Sequence, residues 1–230
     1  MRSEWVPFSA GALVTGVMAI MLGQLLNPGG SGNSPTEQMI VAGKHPDQWL
    51  AMSVLFFGGA AAMVLGLPCV MSLFTGHRGR VVGMLGVMVF AVGCLGVAAI
   101  AALMLMFRAL TLASLEVGVL PDADVMLVNM SLEDPGLTVM LGVWGYGFLL
   151  GILLIAVGLL RAQVAPRWVP GLMLAFLALQ LGLPFLAEGA DTVARMGSTT
   201  ALLLLTAWFT GIATTATHPS RGGLLDRAAA

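Results

Sequence analysis

Charged residues are scarce in this sequence. Only 9% of its 230 residues are Asp, Glu, Lys or Arg, whereas 58% are hydrophobic. A soluble domain carries about 25% charged residues, and a water-exposed surface as apolar as this one would aggregate. The composition therefore excludes an ordinary soluble protein. The net charge of −1 gives no basis for a nucleic-acid partner.

The long apolar segments also lack ionisable side chains. No Asp, Glu, Lys, Arg or His lies deep within any of them. Proton relays and ion-coupled carriers place such groups in the membrane interior, so the sequence argues against a pump or a proton-coupled transporter. The histidines all fall outside these segments, which argues against bis-histidine haem ligation. No zinc-protease, nucleophile-elbow or phosphate-loop motif is present. We therefore predict no catalytic residue, no cofactor and no enzyme activity.

Cysteine is nearly absent as well. The two cysteines, Cys69 and Cys94, both fall inside apolar segments. Their predicted depths in a membrane differ by about 10 Å, which is too far for a disulfide. The pair His45 and Asp47 lacks the spacing of a zinc motif. We predict no metal site, and the sequence leaves open whether the acidic loop after the third segment binds a metal.

What the sequence does contain is six long apolar segments. Each is long enough to cross a bilayer as a helix, which takes about 20 residues. They predict an all-α fold, a polytopic transmembrane bundle that forms one membrane domain over residues 1–230. The predicted spans are Val6–Leu26, Trp49–Phe74, Val81–Phe107, Leu137–Leu160, Trp168–Ala187 and Gly197–Thr215.

Positive charge alternates between the connecting segments. Seven of the ten Lys and Arg residues lie at the termini and in the loops after the second and fourth spans, and three lie in the other loops. The positive-inside rule places both termini, including the tail 216–230, in the cytoplasm. An even number of spans also puts the termini on one side. The loops 27–48 and 108–136 then face outward, and we expect the second to extend the third helix before it follows the membrane surface.

Small residues recur at helical spacing in five spans. Lipid provides no hydrophobic drive between helices, so close contact needs small side chains, and we predict that these faces pack the bundle together. A dimerisation seam is the alternative. Pro68 is expected to kink the second span, with a partner helix supplying hydrogen bonds to the freed carbonyls. The sets are Ala12, Gly16, Ala19 and Gly23; Gly59, Ala62, Gly66 and Cys69; Gly147, Gly151 and Gly158; Gly171, Ala175, Ala178 and Gly182; Thr206, Thr210, Ala213 and Thr217.

A shallow polar layer is predicted within the bundle. Trp144, Tyr146 and Gln180 fall in its outer half, and Trp208 lies nearer the middle. If these side chains converge, they form an apolar cleft with a few hydrogen-bonding groups, which is typical of a site for a lipid or a drug-like molecule. If they do not, each one fills its own gap between helices.

A charged belt is predicted at the outer headgroup level, where Asp191 and Arg195 share a helical face and can pair. Three tryptophans that open spans, Trp5, Trp49 and Trp168, are typical of membrane-interface anchors. The members of the predicted belt are Arg108, Glu188, Asp191 and Arg195.

The stretch Val164-Ala165-Pro166-Arg167-Trp168 joins the fourth span to the fifth. It resembles a motif in bacterial six-span integral membrane proteins of a domain-of-unknown-function family. In that motif one span ends in a basic residue and Val-Pro-Arg-Trp opens the next; here Ala165 intervenes. The resemblance implies six helices in a bacterial cell membrane. It implies no established activity, so no catalytic residue is carried over.

The leading interpretation is a non-enzymatic multi-pass protein of the cell membrane. It would act as a partner subunit or would bind lipid-like molecules through the outer-half cleft. The expected partners are membrane lipid and either another membrane subunit or a second copy of the chain. One alternative is a transport protein, such as a permease subunit driven by a separate ATPase. Another is a membrane enzyme that acts at the outer leaflet.

Overall fold

The computed structural model describes residues 5–28, 41–75, 79–117, 135–186 and 191–217. Regular structure in these residues is helical throughout, which confirms the predicted all-α class. The helices are α1 (Trp5–Leu25), α2 (Pro46–Leu73), α3 (Arg80–Val117), α4 (Pro135–Ala162), α5 (Trp168–Leu186) and α6 (Asp191–Thr217).

Five of these helices, α1 to α4 and α6, are long and apolar enough to cross a membrane. This confirms the prediction of a helical membrane protein. The apolar stretch of α5, Trp168–Gly182, is shorter than the other five. A sixth crossing by α5 therefore stays a prediction, as does the side on which the termini lie.

Proline marks where several helices begin. Pro46 and Pro135 open α2 and α4, and Pro166 lies just before α5. Proline suits the first turn of a helix because an N–H group at that position has no partner within the helix, so its absence costs no hydrogen bond. At the other end, α3 continues to Val117, well beyond the predicted boundary at Phe107. The loop 108–136 thus begins as an extension of the third helix, as expected.

The helices pack in chain order around a common core. Each helix contacts the next along the chain, and α6 closes the ring against α1 and α2. Neighbours run antiparallel: Gly16 of α1 lies against Gly59 of α2, and Leu13 lies against Gly66. The main hydrophobic cluster takes buried side chains from all six helices.

The predicted small-residue seams hold for α1 and α2. Gly16, Gly23, Gly59 and Gly66 are buried, and each lies close to the partner helix. The seam between α3 and α4 was only half predicted, since Gly151 and Gly158 on α4 were identified but their partners on α3 were not. The α3 residues that contact α4 are glycines spaced three, seven and three residues apart: Gly83, Gly86, Gly93 and Gly96.

The prediction of an internal seam on α5 was wrong. Gly171, Ala175 and Ala178 are exposed on the outside of the bundle. The buried face of α5 instead carries larger side chains, including Met173 and Phe176, which reach the common core. Because α5 contacts only α4 and α6 among the described helices, its small residues are not needed for close approach to a third helix.

Candidate functional site

A row of aromatic rings crosses the centre of the bundle. The ring of Phe148 on α4 packs on that of Phe90 on α3, with centroids 4.9 Å apart. The Phe90 ring lies 5.8 Å from that of Phe209 on α6, which in turn stacks on Trp208 at 3.7 Å. We call Phe148, Phe90, Phe209 and Trp208 the aromatic row. It joins three helices that are distant in sequence.

Trp208 ends this row and carries a polar atom into the core. The side chain is 0% exposed, and the indole Nε1 has no hydrogen-bond partner. Burying a polar group without a hydrogen bond costs about 1–3 kcal/mol in proteins. Because buried polar groups are normally hydrogen-bonded, an unsatisfied donor in a packed core needs an explanation, and a bound molecule that supplies an acceptor is one.

Trp144 repeats this feature one helical turn before Phe148, on the same face of α4. Its side chain lies directly over Gly96 of α3, where a side chain larger than hydrogen would collide with it. Its Nε1 is also buried and without a hydrogen-bond partner. Two indole donors thus lack acceptors in the same apolar interior.

The other two residues of the predicted cleft lie differently. Tyr146 is 77% exposed on the outer surface of α4, whereas Trp208 is fully buried. The structure therefore does not enclose these two side chains together. Gln180 of α5 is half-buried. Of the four predicted residues, Trp144 and Trp208 are the two with a buried polar atom that lacks a hydrogen-bond partner.

The predicted outer charge belt is described only in part. Glu188 lies outside the described residues, and for Asp191 and Arg195 the structure describes the backbone of α6 alone. Arg108 is half-buried, and its Nε donates a hydrogen bond to the Pro46 carbonyl at 2.9 Å. Arg108 therefore fastens the C-terminal part of α3 to the beginning of α2.

The predicted role of Trp49 as an interface anchor was wrong. Trp49 is buried in a second cluster between α2 and α3, with Met52 and Ala101. Its Nε1 donates to the Met104 carbonyl at 2.8 Å, which satisfies the indole inside the protein. Trp5 and Trp168, by contrast, are exposed at 71% and 52%, as expected for side chains at a membrane surface.

Ser9 forms a buried polar contact that the sequence analysis missed. Its hydroxyl lies 2.9 Å from the Gly66 carbonyl oxygen and 3.1 Å from that of Leu65, and it accepts a hydrogen bond from the Cys69 amide at 3.0 Å. These groups flank Pro68, which interrupts the hydrogen bonding of α2 because it has no N–H. Ser9 shares a seven-residue spacing with Gly16 and Gly23, and that spacing was the available signal.

The remaining candidate chemistry is limited. Cys69 and Cys94 are both buried free thiols. Among the residues that the structure describes, no group of three or more His, Cys, Asp or Glu side chains is arranged to hold a metal ion.

Comparison with protein-family models, with curated proteins and with solved structures gave no match. The resemblance of residues 164–168 to bacterial six-span proteins therefore stays a prediction.

Proposed function

We propose that the chain is a non-enzymatic, six-span protein of the cell membrane that holds a lipid-like molecule inside its bundle. Both termini lie in the cytoplasm. The bound molecule would have an apolar body and at least one oxygen that accepts a hydrogen bond. It would lie between the middle and the outer half of the bundle.

The length and position of α5 support six crossings. The helix spans Trp168–Leu186, or about 28 Å at a rise of 1.5 Å per residue. That is close to the hydrocarbon thickness of a bilayer, about 30 Å. It packs between α4 and α6, both of which have spanning length. An even number of crossings then agrees with the arginine-rich cytoplasmic segments.

The observation that carries the proposed binding is the pair of indole donors without acceptors. Among the described residues, the Nε1 atoms of Trp208 and Trp144 are the buried side-chain polar atoms that have no hydrogen-bond partner. Their surroundings, including Phe90 and Phe148, are apolar and aromatic. An ester or ketone oxygen on an apolar molecule satisfies such a donor without bringing a charge into the core.

A conservative substitution of Trp208 tests this proposal. The full chain in an uncharged detergent would be mixed with dioleoylglycerol, an apolar lipid with ester oxygens, and bound lipid would be measured by native mass spectrometry. We expect Trp208→Phe to retain about two- to tenfold less dioleoylglycerol than the unmodified protein, since one net hydrogen bond contributes about 0.5–1.5 kcal/mol. The variant keeps an aromatic ring but loses the donor.

Trp168→Phe is the matched control, because Trp168 is half-exposed at the inner end of α5. Its retention of dioleoylglycerol should equal that of the unmodified protein. Equal retention by Trp208→Phe and Trp168→Phe would refute the proposed site. So would an increase in thermal stability of Trp208→Phe without any loss of lipid, because the indole would then be only a cost to the fold.

A permease subunit and an outer-leaflet enzyme are the two alternative functions that the sequence leaves open. The aromatic row argues against a permeation path along the bundle axis, because closely spaced rings fill the centre of the bundle.

A further inference from the structure

Arg108 is held in a fixed position at the outer end of the α2–α3 pair. Its Nε donates to the Pro46 carbonyl, and one turn deeper the Trp49 indole donates to the Met104 carbonyl. The two bonds fix α3 against the first turn of α2. Arg108 directly follows Phe107, the predicted end of the third span, and so lies at headgroup level.

The hydrogen bond to Pro46 uses only one of the N–H groups of the Arg108 guanidinium. An arginine side chain carries five N–H groups in a planar fork, and the Pro46 carbonyl uses the one on Nε. No carboxylate among the described residues forms an ion pair with Arg108, although Asp47 lies in the adjacent turn. Among the described residues, the terminal nitrogens of Arg108 therefore have no carboxylate partner. Their planar fork can bind an anion through two parallel hydrogen bonds.

Two further features of the same place favour an anion. Lys44 is exposed on the turn that precedes α2. The N-cap residue of α2, His45, makes no side-chain hydrogen bond to the helix. Pro46 has no N–H and the Trp49 N–H donates to the His45 carbonyl, so the N–H groups of Asp47 and Gln48 are the donors left in the first turn. The positive end of the dipole of this 28-residue helix points the same way. Asp47 offsets one of the two positive side chains, and the dipole adds to the remaining charge.

The surface below this place is suited to acyl chains. Leu50, Val54 and Phe57 follow Pro46 at steps of four, four and three residues, so they lie in one row down α2. All three are exposed, Phe57 to 53%. A free phosphate ion would leave this row uncovered, whereas the chains of a phospholipid would cover it.

We propose that Arg108, Lys44 and the first turn of α2 bind the phosphate of an anionic phospholipid, with its acyl chains along Leu50, Val54 and Phe57. The site is separate from the interior site and does not depend on it. In the proposed orientation it selects lipids of the outer leaflet.

Native mass spectrometry with two lipids of identical acyl chains tests this site. The full chain in detergent would be offered palmitoyl-oleoyl phosphatidylglycerol and the corresponding phosphatidylcholine. We expect the unmodified protein to retain more phosphatidylglycerol. Arg108→Gln should lower that retention about tenfold, the loss expected for a charge-assisted hydrogen bond. Arg108→Lys, which keeps the charge but not the fork, should give an intermediate value.

Arg161→Gln provides the matched control, because Arg161 is exposed in the last turn of α4, at the opposite end of the bundle. It should leave phosphatidylglycerol retention unchanged. Lys44→Gln tests the same site without the Arg108–Pro46 bond being removed, so it separates a loss of lipid binding from a loosening of the α2–α3 pair. Because Lys44 is exposed, this variant should lower retention severalfold with no change in thermal unfolding.

Three results would overturn the proposal. They are equal retention of the two lipids by the unmodified protein, equal losses in Arg108→Gln and Arg161→Gln, and unchanged retention in Lys44→Gln. Inorganic phosphate provides a further arm of the test. At a concentration equal to that of the lipid it should not displace phosphatidylglycerol, and displacement would mean that the site takes free phosphate instead.

Discussion

Gly16→Ala is expected to destabilise the folded protein by about 1–3 kcal/mol, although it adds a single methyl group. A Cβ at position 16 would lie 2.7 Å from the Gly59 carbonyl oxygen and 2.7 Å from the Met63 amide nitrogen. Both are backbone atoms of α2, so the two helices would have to move apart. Unfolding in mixed micelles with increasing SDS measures the change.

Gly58→Ala is the control, since it lies next to Gly59 but nothing would lie within 4 Å of a Cβ there. Alanine is favoured over glycine inside a helix by roughly 0.5–1 kcal/mol, so this variant should be as stable as the unmodified protein or slightly more stable. The two substitutions are therefore expected to act in opposite directions. If both destabilise equally, α1 and α2 do not meet at Gly16.

Ser9→Ala is expected to destabilise the protein by about 1–3 kcal/mol, because it leaves buried groups without a partner. The Cys69 amide loses its acceptor, and the carbonyls of Leu65 and Gly66 lose a donor, all at the turn that Pro68 interrupts. Unfolding in SDS measures the loss. Hydrogen exchange at the Cys69 amide should also become faster.

Ser72→Ala is the control for Ser9→Ala. The Ser72 hydroxyl donates to the Cys69 carbonyl within its own helix, and the side chain is exposed. Its removal should change stability by less than about 0.5 kcal/mol, as is usual for surface substitutions. Equal effects of the two substitutions would mean that Ser9 does not support the interrupted turn.

The sequence predicted the features that depend on local pattern. The length and apolar character of each segment predicted the positions of the helices, because a bilayer of fixed thickness sets both. Small residues at helical spacing, such as Gly16 with Gly23 and Gly59 with Gly66, predicted a close-packing face on α1 and on α2, and these two faces meet in the structure. The expected extension of the third helix was also confirmed, with α3 continuing to Val117.

The features that the sequence did not predict depend on which helices meet. Trp49 looked like an interface anchor because a tryptophan opens a span, but the Met104 carbonyl on another helix satisfies it inside the protein. Nothing local distinguishes Trp49 from Trp168, which is half-exposed. The aromatic row likewise joins side chains from α3, α4 and α6, and helical periodicity gives no information on such distant pairs.

The sequence predicted only part of the candidate site, because the site also depends on which helices meet. Trp144 and Trp208 were recognised because an indole far from the membrane interface is unusual, and their donors do lie in the interior. Tyr146 was grouped with them by depth alone. It lies two residues from Trp144, which places it on a different side of α4, and it is exposed there.

Labelling of single cysteines in intact cells shows directly whether the chain crosses the membrane six times with both termini in the cytoplasm. With both native cysteines replaced by alanine, Ser31→Cys and Gly189→Cys should react with a membrane-impermeant thiol reagent. Thr75→Cys and Arg167→Cys should react only after the membrane is permeabilised. Labelling of Gly189→Cys and Arg167→Cys from the same side would mean that α5 does not cross the membrane, and the six-span topology would be wrong.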